Sequence, residues 1–119
     1  MIGVMETIGE AQKQRALLRG NLQAVRETIA LGWCQGPEAE TIEGFPCGPK
    51  DPRAVGWCLV GAFFRSLAFG SNAFENCWHR FLVPFVRRKY GCTPIGFNEH
   101  PGTTQKEVLA MLDEAIAEV

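Results

Sequence analysis

The tripeptide Gly-Trp-Cys occurs twice in this chain, as Gly32-Trp33-Cys34 and as Gly56-Trp57-Cys58, with one long irregular loop between the copies. The copies hold two of the three tryptophans and two of the five cysteines. Bulky anchors in the same order at both ends of a loop predict that those ends meet at one place in the fold. The settings of the two copies differ. Gly32 closes an amphipathic helix, where a left-handed cap is expected, whereas Gly56 falls in a run without charge, where glycine allows close packing. The copies therefore read as two aromatic-thiol anchors rather than as duplicated modules, with the cysteines as wall more than nucleophile.

A chain of 119 residues is enough for one core and too short for two. Its apolar fraction of 46% and charged fraction of 21% are those of an ordinary globular protein. A net charge of −1 gives no reason to expect nucleic acid or an anionic membrane as partner. The longest uncharged apolar run, Ala54 to Phe64, is too short to span a bilayer. No basic, apolar leader precedes Glu6, and the cysteine count is odd. Together these predict a cytoplasmic protein with reduced thiols.

Four helices are predicted. The first covers about 11–31, with Leu18, Leu22, Val25 and Ile29 on one face. Gly20 is its weak point. Residues 1–10 are expected to form a disordered arm, leaving 11–119 as one helical domain. The loop 33–50 exceeds the roughly 12 to 15 residues of a passive connection. Within it, Glu40 to Phe45 suggests a small hairpin or turn with Ile42 and Phe45 tucked inward. Asp51 as cap and Pro52 at the first helical position predict a second helix to about Phe69. Its charge-free stretch makes it the central, buried one. Asn72 with Glu75 predicts a third helix carrying Phe74, Cys77, Trp78, Phe81 and Phe85 on a stripe, kinked near Phe81 by Pro84. Residues 92–103 read as irregular. Thr104 with Glu107 caps the last helix, whose stripe is Val108, Leu112, Ala115 and Val119. The class is all-α: a compact bundle of about four helices around a buried central helix.

Several ordered blocks carry a resemblance: Trp33-Cys34-Gln35-Gly36, Asp51-Pro52-Arg53-Ala54-Val55, Trp57-Cys58 with Gly61-Ala62, Phe97-Asn98-Glu99, and the Thr104-capped last helix. The chain resembles a family of small bacterial and phage proteins catalogued as a domain of unknown function, over roughly residues 18–117. An aromatic-Asn-Asp block in that family stands here as Phe97-Asn98-Glu99. The resemblance implies a fold and no activity.

Candidate chemistry is confined to a few groups. Trp33 and Trp57 suit the apolar walls of a ligand site, with Gln35, Asn98 and Glu99 as its polar determinants. Equally, the tryptophans suit core packing, and Asn98 suits a turn that satisfies local backbone groups. Cys58 or Cys34 with His79 or His100 would form a thiol nucleophile and base if the fold brought them together. The five cysteines with His79 and His100 also offer enough ligands for zinc, yet no Cys-x-x-Cys spacing occurs, so no metal is expected. Arg87-Arg88-Lys89 reads as a helix end complementing its own dipole rather than as a phosphate site. No phosphate loop, zinc-protease signature or paired-carboxylate motif occurs, and no cofactor is expected.

These readings favour a non-catalytic binding module. Its ligand would be a small molecule, or a host protein if the protein is of phage type, held under the loops 33–50 and 92–103. A thiol-dependent enzyme is the first alternative. A structural domain that forms a homodimer through the charge-free helix is the second.

Overall fold

A computed structural model describes residues 2–68 and 70–119, with side chains from residue 8 onward. The protein is a mostly helical bundle, as predicted, with one small irregular sheet that was not. Helix α1 (Ile2–Leu31) runs through the middle. It passes unbroken through Gly20 and extends the predicted 11–31 helix back through most of the predicted arm. Leu22, Val25 and Ile29 form its buried stripe. This helix, rather than the segment after Asp51, is the central one. It packs on α2 (Leu59–Ser66) and on α6 (Gln105–Ala117).

The contacts between α1 and α6 show that the two run antiparallel. Arg19 donates to the Val119 carbonyl (2.8 Å), Arg26 pairs with Asp113 (2.8 Å), and Gln105 donates to the Ile29 carbonyl (2.8 Å). These surface contacts fix the register, while Val108, Met111, Leu112 and Ala115 supply the buried area. The Thr104 cap is present, its hydroxyl oxygen accepting the Glu107 amide at 3.3 Å.

The segment after Asp51 departs from the helix predicted there. The Asp51 carboxylate accepts the Arg53 amide at 2.8 Å and the Arg53 guanidinium at 2.9 Å, which closes a turn instead of starting a helix. Its carboxyl is held down at about 2 by these bonds to Arg53. Gly56–Trp57 then forms a strand, β3, pairing antiparallel with β1 (Ala39–Glu40), which also pairs with β2 (Pro46–Cys47). Helix α2 starts only at Leu59, capped by Cys58. Residues 54–64 lack charge because a buried strand and a buried helical turn follow one another, not because one helix is surrounded.

The hairpin β1–β2 exists, but its apolar residues point outward. Thr41 takes the inside position, and its hydroxyl and backbone close the turn on Phe45. Gly44 at φ +85° completes that turn. Ile42 and Phe45 are left exposed.

The third helical region begins one residue earlier than predicted, with Ser71 capping α3 (Asn72–Phe74). It continues as a π-helical segment, Glu75–Leu82, and then α4 (Val83–Tyr90). Pro84 lacks an amide hydrogen, and in α register its ring would meet the Arg80 carbonyl. The wider π turns precede it and make that room. Phe63, Phe74 and Trp78 pack edge-on and stacked across α2 and this segment, with ring centroids 4.9–6.3 Å apart. Gly91 at φ +73° ends α4. Arg88 pairs with Glu118 at the end of α6 and Lys89 with Glu114 of α6, so two of the three basic residues are engaged within the fold. Residues 94–99, predicted as irregular, form α5 (Pro94–Glu99) under a Thr93 cap.

Two glycines are fixed by backbone approach. A Cβ on Gly32 would lie 1.9 Å from the Val55 carbonyl oxygen, and one on Gly61 would lie 1.8 Å from that of Glu38. Gly32 is therefore a packing glycine and not a left-handed cap. Gly56, with its nearest neighbours at 3.5 Å, tolerates a Cβ. The packing role read for Gly56 falls instead to Gly32, and Gly56 is a strand residue.

Gly61→Ala should lose about 3 kcal/mol or more, at the upper end of overpacking, because the obstructing atom is backbone. Gly20→Ala, which meets nothing within 4 Å in a helix interior, should gain about 1 kcal/mol. Urea denaturation of both variants checks the pair, and equal midpoints would contradict it.

Candidate functional site

The two Gly-Trp-Cys copies do meet. Trp33 and Trp57 form a parallel bridge, with the Trp57 amide donating to the Gly32 carbonyl (3.1 Å) and the Cys34 amide to the Trp57 carbonyl (3.2 Å). This contact brings the end of α1, the start of α2 and the loop between them to one point. Helix α5 is locked onto that point by one side chain.

Asn98 is 1% exposed. Its Oδ1 accepts the Trp33 indole N–H (2.8 Å) and the Leu59 amide (3.0 Å). Its Nδ2 donates to the Cys34 carbonyl (3.3 Å) and to Glu99 Oε2 (2.6 Å). A carboxamide has two acceptor directions and two N–H groups, and all are engaged. The donors facing Oδ1 also fix which way the amide points. The Leu59 amide is one of the orphan donors in the first turn of α2. Cys58 takes another, its Sγ accepting from Gly61 at 3.4 Å, so the helix start is satisfied by two residues of different segments.

The flanking residues extend the lock. Gln35 Nε2 donates to the carbonyls of Asn98 (3.0 Å) and His100 (2.8 Å), which closes the C-terminal end of α5. Glu99 Oε1 accepts the Gly36 amide at 2.7 Å. Gly36 stands at φ +95°, a conformation that side chains resist. Trp33, Gln35, Asn98 and Glu99 are thus brought into one hydrogen-bonded group. Trp57 lies apart from it: its indole N–H donates to the Pro49 carbonyl (2.9 Å), and the Arg65 guanidinium sits 4.8 Å over its ring. Arg65 also donates to Pro49, at 3.0 Å.

Two concavities border this arrangement. A cavity of about 120 Å³ lies over the lock between Gly36, Cys58, Val60, Ile95, Asn98 and Glu99. At roughly 30 Å³ per water, it has room for a few waters or a very small group. A larger groove, about 590 Å³, is formed by Glu38, Gly48, Pro49, Lys50, Asp51 and Phe64. Sequence reasoning missed Phe64 and Pro49 as site residues. The Gly48-Pro49 turn was their only signal.

The thiols and histidines take separate partners. Cys34 donates to the Pro37 carbonyl (3.5 Å), and burial pushes its thiol up to about 12. Burial also raises Cys58 and Cys77. His79 pairs with Glu75 at 3.1 Å, and His100 Nδ1 accepts the Gly102 amide at 3.1 Å. Among the described residues no three His, Cys, Asp or Glu side chains converge as metal ligands, and none of their helices is long and apolar enough to cross a membrane.

Fold and site together define a class: a small helical bundle in which a buried asparagine of a short helix locks the segment after α1 to the start of α2 beside an open groove. The chain belongs to a family of unknown function (DUF6197), whose family model matches residues 14–118. That span contains every residue of the lock. Neither a curated protein nor a solved structure matches the chain.

Asn98→Ala should destabilise the protein by about 4 kcal/mol, since buried donors and acceptors left unmatched cost roughly 1–3 kcal/mol each and partly relax. Chemical denaturation measures this, and a loss under 1 kcal/mol would show that the lock is incidental. The buried thiols give a second expectation. The folded chain holds the Cys34 proton more tightly than the unfolded chain, so stability is full below the ordinary value of 9.0 and falls as the pH climbs towards about 12. Cys34→Ala should flatten that decline in denaturation midpoints taken between pH 8 and 11.

Proposed function

We propose that the protein is a non-catalytic binding module whose occupant is another protein, docked on the 33–50 loop. The observation behind this reading is the hairpin tip: Ile42 is 83% exposed and Phe45 67%, on a turn closed by its own hydrogen bonds. Large apolar side chains held rigidly outward are what an interface anchor requires, because little freedom is lost when they bind. The same strand runs on through Cys47 into the groove at Gly48, Pro49 and Phe64. Lys50, Asp51 and Glu38 give that groove a polar rim of mixed charge.

In this reading Trp33, Gln35, Asn98 and Glu99 shape the surface from beneath, and Trp57 holds its far wall through Pro49. The resemblance to phage proteins suggests a host protein as partner. The buried thiols of Cys34 and Cys58, pushed up by burial, and the separately paired histidines support a role without catalysis. The charge-free segment offers little face for a homodimer, since Gly56 to Leu59 and Gly61 to Phe63 are buried.

A photo-crosslinking analogue at position 45 should trap one protein in the cells where this chain acts. That protein, purified, should bind Ile42→Ser/Phe45→Ser at least tenfold more weakly than wild type, a loss of about 1.4 kcal/mol or more. The variant's melting temperature should stay unchanged. Equal affinity for both forms overturns the reading.

A further inference from the structure

A second concavity shares no residue with the loop site. It lies between α1 and the helical region that starts at Asn72, and it measures about 560 Å³, within the range of small-molecule sites. Four carboxamides line it: Gln14 and Asn21 from α1, Asn72 and Asn76 from the facing segment. An adjoining hollow shares Gln14, Asn76 and Arg80 with it and adds Arg15.

The polar groups here differ from those elsewhere in the fold. Asn98 has every hydrogen-bonding direction filled, whereas no protein partner engages Gln14, Asn72, Asn76, Arg15 or Arg80 among the described residues. Glu75, the carboxylate in the pocket, is paired with His79 at 3.1 Å, so it does not neutralise either arginine by an ion pair. Asn21 and the buried Cys77 both line the pocket, one from each wall. Leu17, 57% exposed, and Leu18 add an apolar strip.

The wall that carries Asn76 and Arg80 is the π-helical segment Glu75–Leu82. Such segments are rare and are found often at functional sites, because the widened turn aims side chains that an α-helix would direct elsewhere. Here the sequence offers a cause in Pro84. Asn76 and Arg80, four residues apart, share one face of this segment and line the pocket together with Cys77.

We infer that this pocket is a binding site for a small planar heterocycle carrying an anionic group, of mononucleotide size. Carboxamides both donate and accept, so four of them match the mixed edge of a heterocyclic base. The leucine strip gives its face an apolar contact. Arg80 in the pocket and Arg15 in the adjoining hollow offer an anionic group charge-assisted bonds.

The probes are the four ribonucleoside 5′-monophosphates, their nucleosides and inorganic phosphate, each titrated into the full chain. Side-chain amide resonances of Gln14, Asn21, Asn72 and Asn76 report binding directly. At least one monophosphate should shift these resonances with a Kd below about 1 mM, and its nucleoside should bind about tenfold more weakly. Arg80→Gln should remove the advantage of the phosphate, and Asn76→Ala should weaken nucleoside and nucleotide alike. Neither residue is buried, so folding should be kept, as an unchanged melting temperature would verify. Absence of shifts for all four monophosphates at 5 mM overturns the inference. Shifts of the same size with inorganic phosphate alone, or shifts unaltered in both variants, overturn it equally. Tighter binding of a single-stranded oligonucleotide than of any monophosphate would reassign the pocket to a polymer. Because no residue of the 33–50 loop takes part, these outcomes are independent of the protein-docking result.

Discussion

The buried carboxamide of Asn98 is the constraint on which the rest of this structure depends. A polar side chain that leaves water must recover its hydrogen bonds inside, and an asparagine has four to recover. Their partners come from the end of α1, the first turn of α2 and α5 itself. Each partner is also a group that would otherwise be unmatched: an indole N–H, a helix-start amide, a loop carbonyl. The lock therefore satisfies several segments at once, and none of those segments can move without breaking the others' bonds. Gln35 and Glu99 repeat the pattern at the edge of the lock, one closing the carboxyl end of α5 and the other holding the Gly36 amide.

Backbone contact completes what the lock begins. Gly32 lets the end of α1 touch Val55, and Gly61 lets α2 touch Glu38. The small sheet fits in that space, with Ala39 between Cys47 and Trp57. The 33–50 loop is consequently pinned along its length, and its tip alone stands free. This explains how two large apolar residues stay exposed without collapsing onto the body.

Much of the helical architecture was legible. The stripes of α1 and α6 stand out because their apolar residues recur at helical spacing over several turns, and burial selects those residues directly. The caps at Thr104 and Gly91 act within one turn, so sequence neighbours decide them. Local signals failed where two outcomes share one signature. Asp51-Pro52 and Thr93-Pro94 share the signature of a cap followed by a helical proline, which was read as a helix start only at Asp51. At Asp51 the neighbouring Arg53 captures the carboxylate and makes a turn. At Thr93 the hydroxyl oxygen accepts the Gly96 amide at 3.0 Å, and a helix follows in a stretch read as irregular. The hairpin at 39–47 was visible as a turn, but its facing was not, because Thr41 rather than Ile42 holds the inner position.

The sequence by itself determined the helical class, the apolar faces of α1 and α6, and the meeting of the two tryptophan anchors, since each follows from periodicity, local capping or scarce residues placed at both ends of one loop. Tertiary structure alone decided that Asn98 unites three segments, that Gly32 packs where a cap was read, and that the charge-free segment divides into strand and helix. The physical reason is common to all three. Each depends on a backbone group far away in the chain, a Val55 or Glu38 carbonyl or a Leu59 amide, and every residue carries such groups alike, so no residue letter reveals which of them will lie close.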